Sequence, residues 1–204
     1  MRHKMKNIIA IILVGAFFIV YPAIAQNISE DNLFSELVEA AIMRVNHSVT
    51  YDGSYRVIKY PGGDVPDDIG VCTDVIIRVY REVGIDLQRK VHEDMKSNFS
   101  LYPNNWGLTK PDKNIDHRRV PNLQIFFKRN GTELPVTSNP RDYKPGDLVT
   151  WIIPGNLPHI GIVINKKSSD GHRYMIVHNI GRGPKIEDML FQYPITGHYR
   201  YPKI

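Results

Sequence analysis

The chain has 204 residues, with 26 Lys and Arg against 21 Asp and Glu, and one cysteine. That length suits a single domain with a real core, and one cysteine rules out a small fold stapled by internal disulfides. No basic block or aromatic-basic stripe accompanies the formal charge of +5, so nucleic acid is not an expected partner.

Arg2, Lys4 and Lys6 precede an uncharged apolar run from Ile8 to Tyr21, and Ala23-Ile24-Ala25 puts small residues where a signal peptidase reads. The pattern predicts a signal peptide over residues 1–25, cleaved before Gln26. The competing reading is an uncleaved anchor, but the run is shorter than the ~20 apolar residues that a spanning helix needs. The expected product is exported to the periplasm or cell envelope, with no stable membrane insertion after cleavage. The segment holds three of the 26 basic residues and no acidic ones, leaving 23 against 21. Much of the basic character therefore belongs to the leader.

Residues 26–204 read as one α+β domain. Phe34, Leu37, Val38, Ala41, Ile42 and Val45 recur at helical spacing and predict an amphipathic helix over 32–46. Residues 50–70 are rich in Gly, Pro, Asp and Tyr and predict an extended loop. Cys72, Val75, Ile76, Val79 and Val83 form a second helical stripe, stopped by Gly84. A short third helix is expected over 86–95 and irregular chain over 100–120. Pro121 opens a helix carrying Leu123, Phe126 and Phe127, ended by Gly131. After the turn signal Lys144-Pro145-Gly146-Asp147 come four strand-like runs, at 148–153, 159–165, 174–179 and about 195–201. Helices first and an antiparallel sheet afterwards argue for an α+β domain.

Cys72 sits at a predicted helix start, where unsatisfied N–H groups and the helix dipole favour thiolate. The same amides could hold a developing oxyanion. The position equally suits a packed apolar residue, since Cys72 lies on the apolar stripe. Histidine weighs on the choice. If the strands holding His159 and His178 form a hairpin around Lys166-Lys167-Ser168-Ser169-Asp170-Gly171, the two histidines become direct cross-strand neighbours. A tight two-residue turn at Asp170-Gly171 would instead shift the register by four. In the first register His159 serves as base to Cys72, and His178 orients His159.

Beside these residues stand motifs of a known kind. Tyr60-Pro61-Gly62-Gly63 precedes the cysteine, Pro145-Gly146-Asp147-Leu148 leads into a strand, His159-Ile160-Gly161-Ile162 opens another, and Val177-His178-Asn179 ends a third. This order resembles the NlpC-type papain-like cysteine peptidases of bacterial cell walls. The resemblance implies N-terminal helices packed on an antiparallel sheet, with Cys72, His159 and His178 catalytic, Tyr60 lining the cleft, and no metal or cofactor. It departs at the nucleophile, where the usual Asp-Cys-Ser-Gly is replaced by Val71-Cys72-Thr73-Asp74. The replaced positions hold substrate in that superfamily, so Asp74 is a candidate substrate contact. Over most of the mature chain, through GDVPDDIGVCTDV, VHEDM, NIDHRRVPNL, PGDLVTW, LPHIGIV, VHNIG and ITGHYRY, the sequence is similar to an uncharacterised exported bacterial family, domain of unknown function 1287.

Arg118 and Arg119 could clamp a substrate carboxylate; the competing reading is a solvated loop or an internal ion pair. The expected function is a monomeric cysteine amidase or peptidase acting on peptidoglycan peptides. Two alternatives remain: a non-catalytic wall-binding module on the same fold, and a metal-dependent hydrolase using His159, His178, His198 and an Asp.

Overall fold

The computed structural model describes residues 30–203; the expected signal peptide lies outside them. Helix α1 (Glu30–Arg44) buries Leu37, Val38 and Ala41. Helix α2 (Cys72–Glu82) begins where Val71 is still extended, and the Asp74 carboxylate accepts the Val71 N–H at 2.7 Å, satisfying an amide ahead of the first turn. The helix stops at Gly84, which takes a left-handed φ of 79° and donates its N–H to the Arg81 carbonyl. Helix α3 (Leu87–Asn98) is capped by Asp86, and α4 (Val120–Asn130) opens on Pro121. Among the described residues no helix is long and apolar enough to cross a membrane.

The expected single stripe on α2 understates its burial. Residues 72–80 are all buried, because α1, α3 and the sheet surround the helix. Its buried charges are paired: Asp74 with Arg118, and Arg78 with Asp64.

The sheet comprises β3 (Thr132–Glu133), β4 (Leu148–Ile153), β5 (Leu157–Lys167), β6 (Tyr174–His178), β7 (Lys185–Glu187) and β8 (Ile195–Arg200). Their order is β3-β8-β4-β5-β6-β7, with every pair antiparallel. The helices cover the face bearing Leu148, Ile160 and Ile162. A second cluster gathers Val149, Trp151, Val163 and Ile176 beneath Met189 and Leu190. Strands β1 (Thr50–Tyr51) and β2 (Ile69–Gly70) form a separate parallel pair, which sets Tyr51 beside Gly70, two residues before Cys72.

The β5–β6 hairpin falls between the two registers considered from sequence. Ile162 pairs with Val177 and Val163 with Ile176, so His178 stands opposite Gly161. Towards the turn the register shifts and Lys167 pairs with Tyr174, because Ser168 closes the loop by bonding Arg173 and Asp170. His159 and His178 are thus diagonal neighbours, two residues off the direct pair expected.

Candidate active site

The two histidines meet across a gap that Gly161 leaves. A Cβ at Gly161 would lie 2.5 Å from the Ile176 side chain and 3.2 Å from the His178 Cβ. Without it, the His178 ring reaches His159 diagonally, within the range of larger side chains. The rings stand edge to face at 5.1 Å between centroids, and His159 Nε2 lies 3.0 Å from His178 Nδ1. On the far side, His178 Nε2 lies 3.0 Å from Glu187 Oε2 on β7.

The carboxylate sets the tautomers along this run. Glu187 can only accept when ionised, so His178 carries its proton on Nε2 and presents a lone pair at Nδ1. His159 Nε2–H therefore donates to His178, which leaves the neutral His159 lone pair on Nδ1. Among the described residues His159 Nδ1 makes no hydrogen bond to the protein. Burial, with the neighbouring His178 charge adding to it, pushes the pKa of His159 down to about 3. Burial lowers His178 as well, opposed by Glu187. Both rings are neutral at physiological pH. Trp151 pairs with His159 across β4 and β5, and its own Nε1–H is fixed on the Leu190 carbonyl at 3.0 Å.

Cys72 opens α2 as expected and is buried, with 4% of its surface exposed. Its sulfur faces three backbone N–H groups: its own and that of Thr73 at the helix start, and that of Ile160, the amide joined directly to His159. These favour thiolate, but burial outweighs them and pushes the thiol up to about 11, with the Asp74 charge adding to the rise. The resting residue is a neutral thiol, contrary to the activated thiolate expected of a helix start. It forms no hydrogen bond with His159 in this state.

Three residues that the sequence reading did not single out complete the site. Tyr51, brought in by the β1–β2 pair, stands near the thiol; burial and the nearby Cys72 and Asp74 charges push the Tyr51 pKa up to about 12. Asn179 donates to the Gly70 carbonyl at 3.3 Å and ties the end of β6 to the approach to Cys72. Glu187 is the third. The first and last lie in strands of two and three residues, too short for an alternation signal. Asn179 was legible only as the residue after His178.

The four expected substrate contacts are engaged within the protein, with Asp74 in the first turn of α2 close to Cys72. The Tyr60 ring packs edge to face on His92 of α3, with Lys113 over it. Asp74 and Arg118 form a two-pronged buried pair at 2.8 and 2.9 Å. Arg118 gives two further N–H groups to the carbonyls of Asp52 and Ser54, so the pair is tied into the fold. Arg119 pairs with Asp116 at 3.2 Å and stacks on Trp106 at 4.0 Å. Of the two readings offered for these arginines, the internal ion pair is the one observed. His198 lies on β8 and is held by Asp147 and the Pro135 carbonyl, away from the other two histidines. Among the described residues no group of three or more His, Cys, Asp and Glu is placed to hold a metal ion.

Comparison with known proteins bears out the similarity to the family of domain of unknown function 1287. The chain is 45% identical over 180 residues to the Uncharacterized protein YijF of Escherichia coli (strain K12), covering 88% of this chain and 86% of that protein. Residues 38–201, which include Cys72, both histidines and Glu187, match the family described as Domain of unknown function (DUF1287). The chain belongs to that family.

Proposed function

We propose that the protein is an exported cysteine amidase or peptidase that cleaves an amide in the peptide moiety of bacterial peptidoglycan, on a papain-like fold of the NlpC type. The observation that carries the reading is the hydrogen-bonded run His159–His178–Glu187, which ends at the peptide joining His159 to Ile160, beside the Cys72 sulfur. Two neutral histidines aligned by a carboxylate, on the strand whose Ile160 amide faces the helix-start thiol, would supply a base and an orienting group to that nucleophile.

In this mechanism substrate binding brings the thiol onto His159 Nδ1. The imidazole takes the thiol proton as sulfur adds to the amide carbon. The oxyanion is held by the N–H groups at the start of α2. The tetrahedral adduct expels the amine, which leaves with the proton from His159, and a thioester remains on Cys72. Water then gives a proton to His159 and attacks the thioester, releasing a carboxylic acid and restoring the thiol. His178 accepts the Nε2–H of His159 throughout and stabilises the transient imidazolium with Glu187 behind it. Because the resting pair is neutral, the proton moves during attack rather than beforehand.

The second reading is a non-catalytic wall-binding module, favoured by one fact: Cys72 is buried and its pKa is raised. Digestion of purified sacculi, followed by mass spectrometry of the soluble products, separates the two. The hydrolase releases fragments with new amino and carboxyl ends, and Cys72→Ala releases none. Saturable binding to sacculi without any release would support the module instead.

A further inference from the structure

The thiol that the mechanism needs is buried, and a strap of chain from Thr50 to Ile58 lies on its approach. Thr50 and Tyr51 pair in parallel with Ile69 and Gly70, and the Asp52 N–H reaches the Gly70 carbonyl at 3.4 Å. A Cβ at Gly53 would stand 3.4 Å from the Val71 side chain. The strap therefore rests on residues 69–71, which lead directly into α2 at Cys72.

What holds the strap down is polar and small in extent. None of residues 50–62 is buried, whereas Val49 before them and Gly63 after them are. Tyr51, Tyr55 and Val57 are already exposed, so lifting the strap uncovers little new apolar surface. Its parallel pair is two residues long, too short to be stable by itself in water. Beyond that pair, the Arg118 guanidinium gives N–H groups to the Asp52 and Ser54 carbonyls, each at 3.2 Å. Asn114 holds the other end, accepting the Ile58 N–H at 3.1 Å and donating to the Tyr55 hydroxyl at 2.9 Å. From Lys59 onward the chain is tied to α3 instead: Gln88 donates to the Lys59 carbonyl and accepts the Gly63 N–H, and Asp86 accepts the Gly62 N–H. Few buried apolar contacts and solvent-facing backbone hydrogen bonds mark a segment that opens without unfolding the core.

We infer that residues 50–58 form a lid over Cys72, hinged at Val49 and Lys59, and that the thiol is reached only when the lid lifts from residues 69–71. This deepens the proposed hydrolase and rests on it for what enters the opened site. Closed, the lid keeps the sulfur out of water, and Tyr51 stands beside it. Lifting breaks the bonds from Arg118 to the two carbonyls but leaves Arg118 on Asp74, so the first turn of α2 stays in place while its thiol is uncovered. The burial of Cys72 is then a property of the closed form, and gating by such a segment precedes attack.

The test reads access to the thiol, so it does not depend on turnover. Cys72 is the one cysteine of the chain, and its labelling by iodoacetamide is followed by mass spectrometry at fixed pH, well below the urea midpoint. Asn114→Ala removes both bonds at the far end of the lid and is expected to speed labelling about tenfold; Tyr55→Phe removes one and is expected to speed it about threefold. Tyr55 is exposed, so the second variant keeps the test valid if the first is destabilised. Hydrogen exchange by NMR supplies the second readout. The Thr50 and Asp52 amides, both bonded to the 68–70 segment, are expected to exchange at least about 100-fold faster than those of Ile76 and Val79 in α2. Labelling at the wild-type rate in both variants overturns the lid. So does protection of Thr50 and Asp52 equal to that of α2, or labelling that follows urea with the full slope of global unfolding. Faster labelling in the variants with no cleavage of peptidoglycan by the wild-type protein sinks the hydrolase and leaves the lid standing. Cleavage with labelling indifferent to both variants does the reverse.

Discussion

The residue whose role is set most sharply by its surroundings is Glu187. It touches neither sulfur nor substrate, and its action passes through two rings. Its side chain is 44% exposed, so solvent screens its charge and its contribution comes mainly from fixing tautomers. Glu187→Ala is expected to lower kcat about tenfold with little change in KM, and Glu187→Gln to recover most of the loss, since an amide oxygen still accepts from His178 Nε2. His159→Ala removes the base itself and falls in the range of about 10²–10⁴-fold. Steady-state kinetics on a soluble peptide distinguishes the two; a Glu187→Gln enzyme as poor as Glu187→Ala would show that charge, not tautomer, is what matters. Cys72 makes its own prediction. A buried thiol raised to about 11 reacts with iodoacetamide at pH 7.5 roughly 100-fold more slowly than free cysteine, and its rate keeps climbing beyond pH 9. A plateau near pH 8 would mean that the thiol is ordinary and accessible.

At the scale of elements, α2 is held in place by polar groups as much as by apolar ones. The Asp74–Arg118 pair is 2% exposed on both sides and joins the first turn of α2 to the chain entering α4. Arg118→Met strands a buried carboxylate and is expected to cost about 3–5 kcal/mol in urea unfolding, with a smaller loss when Asp74→Asn is added. If these residues bound substrate instead, the variants would raise KM and leave the unfolding midpoint alone. The same pair shows where sequence reasoning stops. The main helices and strands carried period 3.6 or period 2 and were found within a few residues of their positions; β4 matched over 148–153. Cys72, His159 and His178 were visible as residue types at meaningful places. What could not be read was how distant polar residues pair. Nothing local distinguishes an arginine that clamps a ligand from one that meets Asp74 across 44 residues of chain. Nor does a loop such as 50–70 announce that two residues of it will pair in parallel and bring Tyr51, rather than Tyr60, to the thiol. The hairpin register lies two residues from the expected one because a shift near Val163 to Lys167 depends on how Ser168 closes the turn.

Across the whole molecule, burial of neutral histidines fixes how stability responds to acid. His159 and His117 are each held near 3, chiefly by burial, with Arg118 adding to the effect at His117. An unfolded histidine titrates at about 6.5. Between those values the unfolded chain binds more protons than the folded one, so these groups leave stability intact above about 6.5 and reduce it progressively as pH falls towards 3. Asp116 acts in the opposite sense. Burial raises it to about 6, so its protonation favours the folded state as pH falls from there towards the ordinary carboxylate range. Two histidines against one carboxyl give a net loss. The urea midpoint is expected to be lower at pH 4.5 than at pH 7, and His117→Gln to shrink the difference. A midpoint that is flat or rises between those pH values would contradict the buried neutral histidines, and with them the resting charge state of the site.

That charge state bears on catalysis only if Cys72 becomes acylated. The direct measurement is mass spectrometry of the Cys72 peptide after the protein has been mixed with peptidoglycan fragments and quenched in acid within the first turnovers. The account predicts an added mass on Cys72 equal to the acyl half of the cleaved substrate, with the Glu187→Ala protein, slow to hydrolyse it, holding at least as much. Cleavage of the fragments with Cys72 unmodified, together with equal cleavage by Cys72→Ala, would contradict it.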